Sequence, residues 1–192
     1  MAFQTGKHLG GFKMKIARIF VLIISLVLIG SAGVFALSDT ASHDVTMQVN
    51  EIALIDLNDA TVIVLSTNAP ANGGETVLGA TDATKKLQYT SLVTSGTTRT
   101  ITANWGGADV APAGTSLKLE ATSVPAGAGT ADAQITLSAV AQPIVSAIGS
   151  VATGTGANGT ELTYTFSIDN VALLDVGDNQ TVTITFTLTA EA

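Results

Sequence analysis

The stretch Thr181-Val182-Thr183-Ile184-Thr185-Phe186-Thr187-Leu188-Thr189 decides the fold class of this 192-residue chain. Large apolar side chains alternate with threonine, which is the period of a β-strand that has one face on a core. A helix would need apolar residues three and four positions apart, and this stretch does not have that spacing. The stretch therefore predicts a strand with one buried face, and its β-branched residues suit a pleated sheet.

The same period recurs upstream, most clearly in residues 162–168. We expect Tyr164, Phe166, Ile184 and Phe186 to point into the core from these two strands. Shorter alternating segments lie at residues 45–49, 87–91, 99–103, 117–121 and 135–139. Apolar runs predict further strands at residues 52–57 and 171–176, and the continuous run at residues 61–65 predicts a strand covered on both faces.

Turn-forming clusters of Gly, Pro, Asn and Asp separate these segments, and residues 94–97 predict a hairpin turn. No segment after Ala36 has a helical period. Eight to ten short strands at this spacing predict an all-β fold, a single antiparallel β-sandwich of Ig-like or jelly-roll-like type. A barrel is the alternative.

The first 36 residues predict where this domain works. A short basic lead that ends at Arg18 precedes an apolar run from Ile19 to Phe35, and small residues precede a cleavage point after Ala36. This is the pattern of a secretory signal peptide, with Met14 as an alternative start. A retained membrane anchor is the alternative, because the run is just long enough to span a bilayer. We therefore expect residues 37–192 to form one secreted or cell-surface domain.

The charge and the composition narrow the choice of partners and chemistry. All 15 acidic residues follow Ala36, whereas only four of the eight basic residues do. A surface this acidic repels nucleic acid and anionic lipid, so we expect neither nucleic acid nor, after cleavage, a membrane as partner. Without cysteine, and with His43 as the one histidine after Ala36, the domain lacks most catalytic groups. We expect no enzyme activity, no cofactor and no role for His43.

Two acidic turns are candidate calcium sites. Carboxylate and carbonyl oxygens at alternate loop positions are the ligands that calcium takes. The candidate ligands are Asp56, Asn58, Asp59, Asp175 and Asp178. These residue types are also ordinary turn formers that bond to their own backbone, so the turns are equally explained without a metal.

Trp105 is a candidate for stacking on a sugar ring, because it ends a strand before Gly106-Gly107. The alternative is that the indole covers the core, since tryptophan is mostly buried. We expect Lys85, Lys86 and Asp44 to be solvated charges.

Residues 162–166 together with residues 181–189 resemble the closing strands of small exported bacterial β-sandwiches, the WxL-type surface and fibre-subunit domains. The Trp-x-Leu motif is absent, since Trp105 is followed by two glycines. The resemblance implies an extracellular structural or adhesive role and carries no functional residue across.

These patterns predict a structural subunit of an extracellular, pilus-like fibre or surface layer that assembles with copies of itself. Residues 37–43 are small and polar, and Val45, Met47 and Val49 then form an apolar row. A strand at the N-terminus of the mature chain is free to leave its own sandwich and complete a neighbour's by β-augmentation. The alternatives are a strand that pairs within its own domain, and a stand-alone carbohydrate-binding or adhesive module.

Overall fold

A computed structural model describes residues 39–190, so the predicted signal peptide in residues 1–36 lies outside the described residues. Residues up to Met47 and residues from Gln48 onward form two separate units. Residues 39–51 have no regular secondary structure, and their side chains are exposed. Across residues 39–190 we find no helix with the length and apolar character needed to cross a membrane.

The unit from Gln48 onward is built from strands, as the alternation predicts. Its strands are β1 (Ile52–Leu57), β2 (Ala80–Leu92), β3 (Arg99–Trp105), β4 (Thr115–Ser123), β5 (Thr130–Ala131), β6 (Ile135–Thr136), β7 (Gln142–Ile148), β8 (Val151–Ala152), β9 (Thr160–Ile168) and β10 (Ile184–Ala190). A single 3-10 turn (Val171–Leu173) is the one helical element of the described part of the chain.

The strands form two antiparallel sheets. One sheet has the order β1-β2-β9-β4-β6, with β8 also pairing with β2, and the other has the order β10-β3-β7-β5. The sheets pack face to face, which confirms the predicted all-β sandwich. Since β2 and β3 lie in different sheets, the turn at residues 94–97 connects the two sheets, and the predicted hairpin is wrong.

The core lies between the sheets and is made by the inward-facing residues of the alternating strands, and in β7 by the adjacent pair Ile144 and Val145. The first sheet contributes Leu87, Tyr89, Leu119, Ala121, Leu162 and Tyr164. The second sheet contributes Ile101, Ala103, Trp105, Ile144, Val145 and Ile148. The core prediction is confirmed for Tyr164. Ile184 and Phe186 are half-buried and pack against this core, whereas Phe166 is half-buried and is not among the residues that pack against it.

The predicted strand at residues 61–65 is wrong. These residues lie outside every strand, and Val62 and Val64 are 79% and 84% exposed. Ile63 and Leu65 pack against the core. The side chains thus alternate as in a strand, but the backbone joins no ladder. Beyond Asn58, the chain contacts β2 through the inward-pointing Lys85 side chain and no longer through backbone pairs.

The predicted strand at residues 171–176 is also wrong. Asn170 caps the 3-10 turn there by accepting a hydrogen bond from the Ala172 amide. Asparagine favours such local side-chain-to-backbone bonds, which compete with sheet formation. The segment at residues 45–49 is likewise not a strand in this chain.

Candidate assembly interface

The segment before β1 carries an apolar row without any cover. Val45, Met47 and Val49 are 68%, 89% and 81% exposed, although their alternation is that of a half-buried strand. No ladder hydrogen bond holds residues 44–50. A segment patterned to bury one face, but with both faces in water, has an apolar surface that a partner can cover.

The sandwich has two unpaired edges on one side. Among the described strands, β1 pairs only with β2, and β10 pairs only with β3. The two edges face each other, with Cα atoms of β1 and β10 within 8 Å, but they share no ladder. Each edge therefore presents backbone amides and carbonyls that an incoming strand can use.

The core is incompletely covered along this pair of edges. Ile184, Phe186 and Leu188 of β10 pair with Trp105, Ala103 and Ile101 of β3. The β3 residues are buried, whereas the β10 residues are half-buried. Ile55 and Leu57 of β1 are half-buried in the same way. We call these five residues of β1 and β10 the seam.

One contact joins the residue before β1 to β3, the strand that pairs with β10, at one end of the seam. Glu51 precedes β1, and its Oε2 lies 3.4 Å from the Arg99 guanidinium. Arg99 pairs with Ala190, the last residue of β10. The start of β1 and the end of β10 thus lie together, and the two strands run in opposite directions.

Lys85 of β2, which we expected to be solvated, is buried and pairs with an exposed aspartate. Lys85 is only 5% exposed, and its Nζ donates to Asp59 Oδ2 at 3.0 Å and to Thr61 Oγ1 at 2.9 Å. Hydrogen bonds from Thr61, reinforced by Lys85, lower the pKa of Asp59 from 3.8 to about 2. Lys85 shares the parity of Leu87 and Tyr89, a sequence signal that could have revealed its inward position. Lys86 is half-buried, and its Nζ lies 3.4 Å from Glu161.

The calcium candidates are engaged by protein groups. Asn58 Oδ1 accepts the Lys86 amide, Asp56 Oδ1 accepts the Leu57 amide, and Asp59 binds Lys85. In the other turn, Asp178 Oδ1 accepts a hydrogen bond from the side-chain Nε2 of Gln180, and the backbone amide of Asp178 donates to the Asp175 carbonyl. Within residues 39–190 no three or more His, Cys, Asp or Glu side chains are grouped to hold a metal. The calcium site therefore stays a prediction.

Trp105 is part of the core. Its residue exposure is 9%, and its amide donates to the Ser138 carbonyl at 3.0 Å. The indole therefore presents little surface on which a sugar could stack, as in the alternative of a core residue, and the stacking role stays a prediction. An open depression of about 310 Å³ lies beside β1 and β2, between Leu54, Gln88 and Thr155. The one aromatic residue at its wall, Tyr89, is buried.

Comparison with known proteins adds no relative. A scan against protein-family models, a search of curated proteins and a search of solved structures each found no match. The resemblance to exported surface β-sandwiches therefore rests on the strand pattern alone.

Proposed function

We propose that this protein is a non-enzymatic, exported subunit of an extracellular fibre or surface layer, assembled by β-strand donation. One observation carries the proposal: Val45, Met47 and Val49 form an exposed apolar row on a segment that has no ladder of its own. The neighbouring copy would receive residues 44–50 at an unpaired sheet edge.

The physical chemistry of burial favours such donation. Covering one large apolar side chain stabilises a complex by roughly 1.5–3 kcal/mol relative to exposure. The donor row offers three such side chains, and the half-buried seam gains cover at the same time. Ladder hydrogen bonds to the edge fix the orientation of the incoming strand.

Head-to-tail contact explains why such a subunit would form a polymer. Each copy has one donor segment and one acceptor edge, and these are different surfaces. A contact between unlike surfaces leaves both ends of the assembly open, so that it propagates as a filament unless the rotation closes a ring. Export also fits this chemistry, since open apolar edges aggregate when they are concentrated inside a cell.

The alternative function is a stand-alone carbohydrate-binding or adhesive module. Sugar recognition on sandwiches uses exposed aromatic rings, and Trp105 and Tyr89 are both buried. The alternative therefore has no residue on the described surface that favours it over assembly, and binding of polysaccharide by a monomer is the result that would restore it.

Negative-stain microscopy of the exported protein tests the proposal. Filaments or sheets are expected from the parent chain. Met47→Asp should abolish them, because a charge then enters the buried row. Gln48→Asp is the matched control, one position away on the opposite face, and should still polymerise. Monomeric parent protein at high concentration, or Met47→Asp filaments as abundant as those of the control, would refute strand donation.

A further inference from the structure

We propose that the free edge of β10 is the acceptor, and that residues 44–50 of a second copy pair with it antiparallel. This inference rests on the proposed strand donation and identifies its binding site. Both partners are seven residues long and have no ladder on the side concerned. The occupant is a second copy of this chain because the donor row and the acceptor row occur in the same sequence.

The apolar rows of donor and acceptor fit one register. Each row has three members at every second position, and none of the six side chains is charged. Antiparallel pairing with Met47 opposite Phe186 brings all three pairs to the core-facing side. The pairs are Val45 with Leu188, Met47 with Phe186, and Val49 with Ile184. A shift of the register by one residue in either direction would turn the donor row outward to water. The alternation of the side chains therefore disfavours the two registers next to this one.

Strand direction favours a second copy over the chain's own segment. β1 and β10 run in opposite directions, as the contact between Glu51 and Arg99 shows. To reach its own β10, the segment would have to reverse at Asn50 and Glu51 and then run parallel to β10. A segment that continues the direction of β1 into a neighbour stacked on the same axis enters antiparallel to that neighbour's β10, which is the more stable ladder.

Entry of the strand requires the seam to widen. β1 and β10 approach within 8 Å, whereas a strand between two ladders needs about 4.8 Å on each side. Because no ladder joins the two edges, their separation breaks no backbone hydrogen bond between them. The contact between Glu51 and Arg99 is 3.4 Å long and lies at one end of the seam, so separation at that end would remove this one partner of the mostly buried Arg99 side chain.

Disulfide trapping on the outer face tests the register without touching the core. In this register Thr46 lies opposite Thr187, and both are exposed. Directly opposed residues have Cα atoms about 4.5–5.5 Å apart, within the range that a disulfide can bridge. The sequence contains no cysteine, so that every disulfide of the full-length variant Thr46→Cys/Thr187→Cys must form between the introduced residues. After export, assembly and mild oxidation, non-reducing gels should show a series of disulfide-linked multimers.

Two matched variants control for chance contact. Thr46→Cys/Thr185→Cys and Thr46→Cys/Thr189→Cys move the acceptor cysteine by two residues along the same exposed face. Diagonal neighbours lie about 7–8 Å apart, beyond normal disulfide reach, so these variants should give no covalent multimers.

Each other outcome overturns the inference in a distinguishable way. Two results would refute this acceptor register while leaving the fibre proposal in place. One is filaments of Thr46→Cys/Thr187→Cys that give no covalent multimers, and the other is more covalent multimers from a control variant. A disulfide confined to monomers would show that the chain fills its own edge. Absence of polymers from the parent chain itself would refute both proposals.

Discussion

Lys85 Nζ lies 3.0 Å from Asp59 Oδ2, and this contact joins the segment after β1 to the buried face of β2. The lysine side chain is 6% exposed, so its charge has little water to solvate it. Asp59 and Thr61 supply the missing polar partners, at the point where the chain stops pairing with β2. Ile63 and Leu65 can then pack on the core from an extended segment.

This ion pair should make the free energy of unfolding depend on pH in the acid range. The pKa of Asp59 is lowered from 3.8 to about 2, so its ionised form is favoured in the folded state. The corresponding stabilisation is fully present above pH about 4 and is lost as the pH falls to about 2. We expect urea denaturation to show Asp59→Asn less stable than the parent at pH 6, with the difference shrinking below pH 4. A difference constant from pH 6 to pH 2 would contradict the assignment.

Tyr89 should stabilise the sandwich through its hydroxyl as well as its ring. Its Oη donates to the Ala128 carbonyl at 2.6 Å and lies 3.2 Å from Thr160 Oγ1. Burial raises the pKa of Tyr89, while the hydrogen bond with Thr160 opposes the shift, so the phenol stays a donor at neutral pH. Tyr89→Phe should lower the free energy of unfolding by about 1–3 kcal/mol. In a double-mutant cycle with Thr160→Val the two losses should not add, and strict additivity would contradict this coupling.

Gly159 should tolerate a side chain much less well than Gly156. Its φ is +117°, and a Cβ there would lie 2.6 Å from the Leu87 carbonyl oxygen. Gly156 has a φ of +66° and open space around it, so it is the matched control. Gly156→Ala should reduce stability by roughly 1–2 kcal/mol through backbone strain. Gly159→Ala should cost about 1–3 kcal/mol more, because backbone must also move. Equal losses on chemical denaturation would show that the steric contact is unimportant.

Leu162 and Phe186 should differ in how much their truncation destabilises the free subunit. Leu162 has no exposed surface, so Leu162→Ala should lower the free energy of unfolding by about 2–5 kcal/mol. Phe186 is half-buried at the seam, so Phe186→Ala should cost less than the roughly 3–5 kcal/mol typical of a buried phenylalanine. Calorimetry of monomeric protein measures both. A larger loss at Phe186 than at Leu162 would mean that the seam is closed.

Local periodicity predicted much of this fold. The strand at residues 52–57 follows from its apolar run. The inward faces of β2, β3, β4 and β9 follow from alternation, because a strand's side-chain period is set by its own backbone. Pairing partners do not follow from it. Residues 61–65 alternate in exposure like a strand but pair with none, and the chain just before them bonds the side chain of Lys85, a residue that is distant in sequence.

Of the candidate site, the donor could be predicted from the sequence and the acceptor could not, because strand neighbours do not follow from local periodicity. The donor row of Val45, Met47 and Val49 is visible in the sequence as an alternating segment at an end of the domain. The acceptor is not, because half-burial of Phe186 depends on which strand lies beside β10. The position of Trp105 could not be predicted either. The sequence allowed both an exposed indole that stacks on a sugar and a core residue, and the packing of β3 decides which of the two forms.

Binding of the isolated donor strand to a donor-less subunit tests strand donation most directly. Residues 37–49 are removed from the exported chain, and a synthetic peptide of residues 44–50 is added during calorimetric titration. Because residues 44–50 join no ladder, we expect the shortened subunit to fold, to remain monomeric and to bind the peptide one to one. A peptide with Met47→Asp should not bind. Polymers that persist after the deletion, or a folded shortened subunit that binds neither peptide, would contradict the account.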